Sequence, residues 1–276
     1  MPPDLSSANW KIDRAVELLG ELDRKVLAWF DAKPCGFYTY INPEYTRVSV
    51  IVKGYSDPPL VHWSLIMADI IHNLRCALDH AFWAILSSEF GGVNPPKAER
   101  LSFPIWDAAP TSDQRRVLQT VSPKLLRAVE SVQPYNNPTV SFPVHPLAII
   151  RDIENPNKHK LLFPLMHSIG RIHVVVNGLR RKYEDGVTQT LYRGELKDGV
   201  EAVVLTFDVP HPYMKCECDE FMSIIAVKHP VANRLGQDRD DYAALIDALI
   251  VEVRETIANL VAASAFSLDI DIIYPV

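Results

Sequence analysis

The chain has 276 residues, 48% hydrophobic and 22% charged, with a formal net charge of −6. That balance supplies a large core, excludes wholesale disorder, and leaves room only for local contacts with nucleic acid, because chains that bind it over a broad surface are basic. Four scattered cysteines, Cys35, Cys76, Cys216 and Cys218, are too few for a disulfide scaffold.

The opening residues, MPPDLSSANWKIDRAVELL, show no basic segment leading into an unbroken apolar run, so the cytoplasm is the expected location. No membrane is expected as a partner: no stretch approaches the roughly 18 apolar residues a span needs. Asp69, His72 and Arg75 interrupt the best candidate.

Residues 6–32 carry Trp10, Val16, Leu19, Leu22, Val26 and Phe30 at helical spacing, with Ser6 or Ser7 as the expected cap and Pro34 beyond the end. Two β-rich runs then flank Asn42-Pro43-Glu44, the pattern of an antiparallel hairpin. The stretch SDPPL opens a long helix over about 59–88. A further helix over 112–132, capped by Thr111 or Ser112, should break at Pro123. A shorter one over about 146–154 should stop at Pro156. After residue 170 come four short β-branched runs separated by turn residues, then a closing helix at 238–263 capped by Asp238 and an alternating tail, LDIDIIYPV.

Helices in runs around antiparallel strands predict an α+β fold. The expected form is a bundle of about five helices around a long central one, plus an antiparallel sheet made by the early hairpin and the four later strands. The whole of 1–276 reads as one elaborated domain, divisible into 1–168, 169–230 and 238–263.

The central helix carries the chemistry. On a wheel at about 100° per residue, Arg75, Asp79, His72, Trp83, Cys76, Asp69, His80 and Asn73 fall in that order within roughly 160°. Solvated helix faces are usually rich in Lys and Glu, yet neither occurs between Leu60 and Ser88. The stripe therefore reads as a half-buried polar network or a functional pocket sooner than as a plain solvent face. Arg75 and Asp79, four apart, can pair. His72 lies four before Cys76 and seven before Asp79, and a carboxylate beside an imidazole suits either a general base or a satisfied core network.

The string Arg75-Cys76-Ala77-Leu78-Asp79-His80 fits R-x4-H and resembles the R-x4-6-H signature of HEPN-type helical domains, many of them ribonucleases. The longer His72-Asn73-Leu74-Arg75-x-x-Leu78-Asp79-His80, with the downstream Asn157-Lys158-His159-Lys160, is similar to a pattern in bacterial proteins of unassigned function. The two islands span about a tenth of the chain. The resemblance implies RNA as partner, a homodimer, and metal-independent cleavage. In it His80 is the base for the 2′-hydroxyl and Arg75 the cation for the phosphorane charge, with His72 or Asp79 orienting them. Asn73, Asn157, Lys158 and His159 would bind substrate.

Two other readings stand beside it. His72, Asp79 and His80, joined by His159 or His145, form an N/O ligand set suited to a zinc or iron hydrolase or oxygenase, although no H-E-x-x-H or C-x-x-C fixes it. Alternatively the stripe serves a non-catalytic interaction or ligand-binding module. No dinucleotide fingerprint, phosphate-binding loop or nucleophile elbow occurs, so no cofactor is expected.

Overall fold

In the computed structural model, the described residues are 2–94, 101–116, 118–136, 145–157, 165–179, 186–192, 194–227 and 242–265. They form six helices, α1 (Ser6–Asp31), α2 (Leu60–Glu89), α3 (Ser112–Arg116), α4 (Pro123–Ser131), α5 (Pro146–Asn157) and α6 (Tyr242–Ala265). Six strands accompany them: β1 (Gly36–Ile41), β2 (Arg47–Lys53), β3 (Leu165–Asn177), β4 (Val187–Leu191), β5 (Glu201–Phe207) and β6 (Lys215–Val227). The fold is α+β, as the alternation of patterns predicts.

Helix α1 buries Ile12, Ala15, Leu19, Leu22 and Val26 along one side and lies along α2. Its cap departs from expectation. Leu5 occupies the N-cap without a side-chain bond, Asp4 accepts the Ser6 N–H at 3.0 Å, and the Ser7 hydroxyl is used elsewhere. Helix α2 is the hub, packing on α1, α5 and α6, and eleven of its side chains are 1% exposed or less, Trp63 and Phe82 among them. The break near Pro123 occurs as predicted: Thr111 caps α3 reciprocally with Gln114, and Ser122 caps α4 through the Leu125 N–H. Pro156 does not stop α5, which runs on to Asn157. Pro156 has no N–H to give the carbonyl of Asp152, and the helix ends one residue beyond it.

The hairpin β1–β2 closes around Asn42, whose side-chain oxygen accepts the Thr46 and Arg47 N–H groups at 2.9 and 2.7 Å, with Tyr45 in the left-handed region at φ 54°. It joins β5 and β4 in a four-stranded antiparallel sheet of order β1-β2-β5-β4. The expectation of one sheet holding all four later strands needs correcting. β3 and β6 instead pair with each other as a separate ribbon of 13-residue strands, bulged near Ile169 and His173. Two β-rich runs of equal length carry no sequence signal for which partner each takes. The expected cap at Asp238 and the alternating tail after residue 265 lie outside the described residues.

One apolar cluster fills the space among the helices, and two smaller ones lie under the sheet. The ribbon links them. Leu165, Ile225 and Val227 belong to the helical core, while Ile172, Val174 and Val176 pack under the sheet. Among the described residues no helix is long and apolar enough to cross a membrane.

Candidate functional site

The polar stripe of α2 resolves into three separate arrangements. The first is a clamp. Arg75 donates through Nη2 to Asp79 Oδ1 at 3.0 Å and to the Phe103 carbonyl at 2.6 Å, while Asp79 Oδ1 accepts the Phe103 N–H at 2.8 Å. The two side chains thus satisfy both backbone groups of a residue that is 0% exposed. Gln133, itself 0% exposed, holds the other end of this segment: it accepts the Trp106 N–H at 2.8 Å and donates to the Pro104 carbonyl at 3.0 Å.

The second arrangement is a seam with α1. His80 Nδ1 lies 2.7 Å from the Ser7 hydroxyl, and Lys11 donates to Asn73 Oδ1 at 3.3 Å. Asn73 is buried and returns its amide to the Asp69 carbonyl at 2.8 Å. Arg75 and His80, five residues apart, therefore face different neighbours: the covering segment 101–106 for one, α1 for the other.

The third arrangement is a chain of three functional groups. His72 Nδ1 is 3.0 Å from Glu154 Oε1 of α5, and Cys76 Sγ is 3.5 Å from His72 Nε2. Glu154 is a hydrogen-bond acceptor when ionised, so it fixes the proton of His72 on Nδ1 and leaves the Nε2 lone pair toward the thiol. The Glu154 side chain is 4% exposed and that of His72 53%, so the orienting carboxylate is anchored and the imidazole is open to solvent. Helical spacing explains the local part, since positions four apart stand one above the other. Comparison with family models, curated proteins and solved structures finds no match for the chain.

A cleft of about 440 Å³ opens beside the clamp and the triad. Arg75 and Asp79 of α2, Arg151 and Glu154 of α5, and Phe103 and Trp106 of the covering segment line it. Neither His72 nor His80 is among its lining residues, but Glu154 belongs to both the cleft and the triad. Arg151 is fixed by Asp107 at 2.6 Å and by Asp152 at 2.6 and 2.8 Å. Burial acts to lower its pKa, but those two carboxylates outweigh it and hold the guanidinium above its ordinary value.

Among the described residues no three His, Cys, Asp or Glu side chains are arranged to hold a metal ion. The set His72, Asp79 and His80 is divided among the three arrangements above. His145 stands apart, its Nδ1 accepting the Leu147 N–H at 3.2 Å and its Nε2 3.8 Å from Glu252. Burial lowers the pKa of His145 against the raising effect of Asp107, and burial raises that of Glu252. Asn157 closes α5, and Lys158 and His159 lie outside the described residues.

Sequence reasoning placed His72 and Cys76 one turn apart but did not single out Glu154. A signal was available: Leu147, Ile150 and Glu154 follow helical spacing, so a carboxylate occupies the apolar face of α5. A buried carboxylate needs a partner.

Proposed function

We propose that the protein is a thiol-dependent hydrolase or acyl transferase in which Cys76 is the nucleophile, His72 the base and Glu154 the group that orients the base. The observation that carries this reading is the sequence of contacts from Cys76 Sγ to His72 Nε2 at 3.5 Å and from His72 Nδ1 to Glu154 Oε1 at 3.0 Å. A nucleophile, a base and an orienting carboxylate in that order is the arrangement by which a thiol is activated on unrelated folds.

His72 takes the thiol proton on Nε2. The thiolate adds to an acyl carbon, forming an S–C bond, and the leaving amine, alcohol or thiol departs with the proton returned from Nε2. Water or a second acceptor, deprotonated by the same imidazole, then cleaves the S–C bond and regenerates the thiol. Cys76 lies inside a helix, where each N–H bonds to the carbonyl four residues back. The charge that develops on the substrate oxygen must therefore be met by side chains. Lys11, which donates to Asn73 Oδ1 three residues before Cys76, is a cation on the α1 side of the helix.

The ribonuclease implied by the R-x4-H resemblance, with RNA as partner and a two-fold dimer, has less support from the geometry. Arg75 is engaged with Phe103 and Asp79, and His80 turns to Ser7.

Peptide-resolved alkylation by iodoacetamide tests the proposal. Cys76 should react faster than Cys35 and Cys216, whose pKa values burial raises, that of Cys216 to about 11. His72→Ala should slow Cys76 about tenfold or more, an effect of the size general-base assistance gives. Equal labelling of Cys76 in the wild type and His72→Ala would sink the thiol reading. Cleavage of RNA by the wild type, lost in His80→Ala and kept in Cys76→Ala, would replace it with the ribonuclease.

A further inference from the structure

We infer that the cleft between α2, α5 and the 101–106 segment binds a small zwitterion carrying one ammonium and one carboxylate, the class of α-amino acids and short peptides. Its walls hold two guanidiniums, Arg75 and Arg151, and two carboxylates, Asp79 and Glu154. Each guanidinium is fixed in place with donors to spare. Arg75 is engaged only through Nη2, leaving Nε and Nη1 without a partner among the described residues. Arg151 is engaged through Nε and Nη2, leaving Nη1 in the same position. Asp79 uses Oδ1 for both its bonds, so Oδ2 remains as an acceptor among the described residues.

Charge balance selects the ligand. A lone anion would meet the two wall carboxylates, with Asp107 and Asp152 close behind Arg151. A lone cation would meet two guanidiniums whose positions are locked. A ligand with both charges places its carboxylate between Arg75 and Arg151, taking single charge-assisted bonds from their unengaged N–H groups, and its ammonium at Asp79 Oδ2. The donors and acceptors are held before binding, so little side-chain ordering is lost when the ligand enters. A volume of about 440 Å³ suits a ligand of this size.

This inference stands on the cleft alone. If Cys76 acts as proposed, Glu154 joins the two sites, and the zwitterion is the recognition end of the acyl substrate.

Ligand-observed NMR titration of the full chain tests it with three probes of matched size: glycylglycine, N-acetylglycine with only the carboxylate, and glycinamide with only the ammonium. Glycylglycine should bind, and each single-charge probe should bind at least about tenfold more weakly, the loss expected for one charge-assisted contact. Arg151→Gln should weaken glycylglycine by about tenfold. Arg151→Lys keeps the charge without the fixed planar donor and should weaken it severalfold, which serves where the glutamine variant does not fold. Absence of glycylglycine binding, equal binding of N-acetylglycine, or indifference of both folded Arg151 variants would overturn the assignment. Those results leave the alkylation outcome untouched, and an unreactive Cys76 leaves the binding outcome untouched.

Discussion

Arg75 and His80 were linked by sequence spacing, and the structure gives them different roles. Arg75 completes the hydrogen bonding of Phe103, while His80 makes an exposed contact with Ser7. Arg75→Ala takes the guanidinium from the buried Phe103 carbonyl and from Asp79, which keeps only the Phe103 N–H. The Asp79 side chain is 31% exposed, so the cost falls below that of breaking a fully buried pair, at about 2 kcal/mol. His80→Ala removes one exposed bond and should cost less than about 1 kcal/mol. Urea unfolding of the two variants measures both values, and an Arg75→Ala protein as stable as the wild type would refute the clamp. The pairing of Arg75 with Asp79 was legible because helical spacing reports contacts within one element. Phe103, 28 positions from Arg75, and Glu154, 82 positions from His72, were not legible. A helix wheel shows which face is polar, and only the tertiary fold decides what that face meets.

At the scale of elements, α1, α2, the hairpin and the break at Pro123 follow from periodicity and turn chemistry, which act locally. The pairing of β3 with β6 depends on how the ribbon docks, and that involves His167 of β3. This side chain is 0% exposed, packed edge-on against Trp29 at 4.8 Å between ring centroids and stacked on Tyr55 at 5.7 Å. Burial, with Asp57, Glu195 and Cys35 adding to it, holds the Tyr55 hydroxyl well above its ordinary pKa, so it remains a donor toward His167 Nδ1 at 3.3 Å. Burial lowers the pKa of His167 to about 4 from 6.5. Above the unfolded value both states are neutral there and the ribbon keeps its full stability. As pH falls through the interval toward 4, the unfolded chain takes up a proton that the folded chain refuses, and roughly 3 kcal/mol of stability is lost. His145, lowered in the same direction by burial, adds to the loss. Replacing His167 by Phe should flatten the fall in stability across that interval without abolishing it. Chemical denaturation at a series of pH values reads this directly, and an unchanged slope would show that another group carries the acid sensitivity.

Across the whole molecule, the question is whether the helical core and the sheet core unfold together. All five tryptophans, Trp10, Trp29, Trp63, Trp83 and Trp106, lie in α1, α2 or the segment covering α2, and none lies in the sheet. Tryptophan fluorescence therefore reports on the helical layer and, through Trp29 against His167, on its contact with the ribbon, but not on the four-stranded sheet. Val50 of β2 is 1% exposed and belongs to the sheet core. Val50→Ala should cost about 2 kcal/mol there. The physical link between the layers is the β3–β6 ribbon, whose Leu165, Ile225 and Val227 end lies in the helical core while Ile172, Val174 and Val176 pack under the sheet. Because each strand of the ribbon is continuous through both layers, opening the sheet core strips apolar cover from one half of an element that anchors the other. The Val50→Ala substitution should thus lower the denaturant midpoint seen by tryptophan fluorescence as much as that seen by far-ultraviolet circular dichroism. Two separated transitions, with the tryptophan midpoint unmoved, would mean that the layers are independent units and that 1–276 is not one cooperative domain.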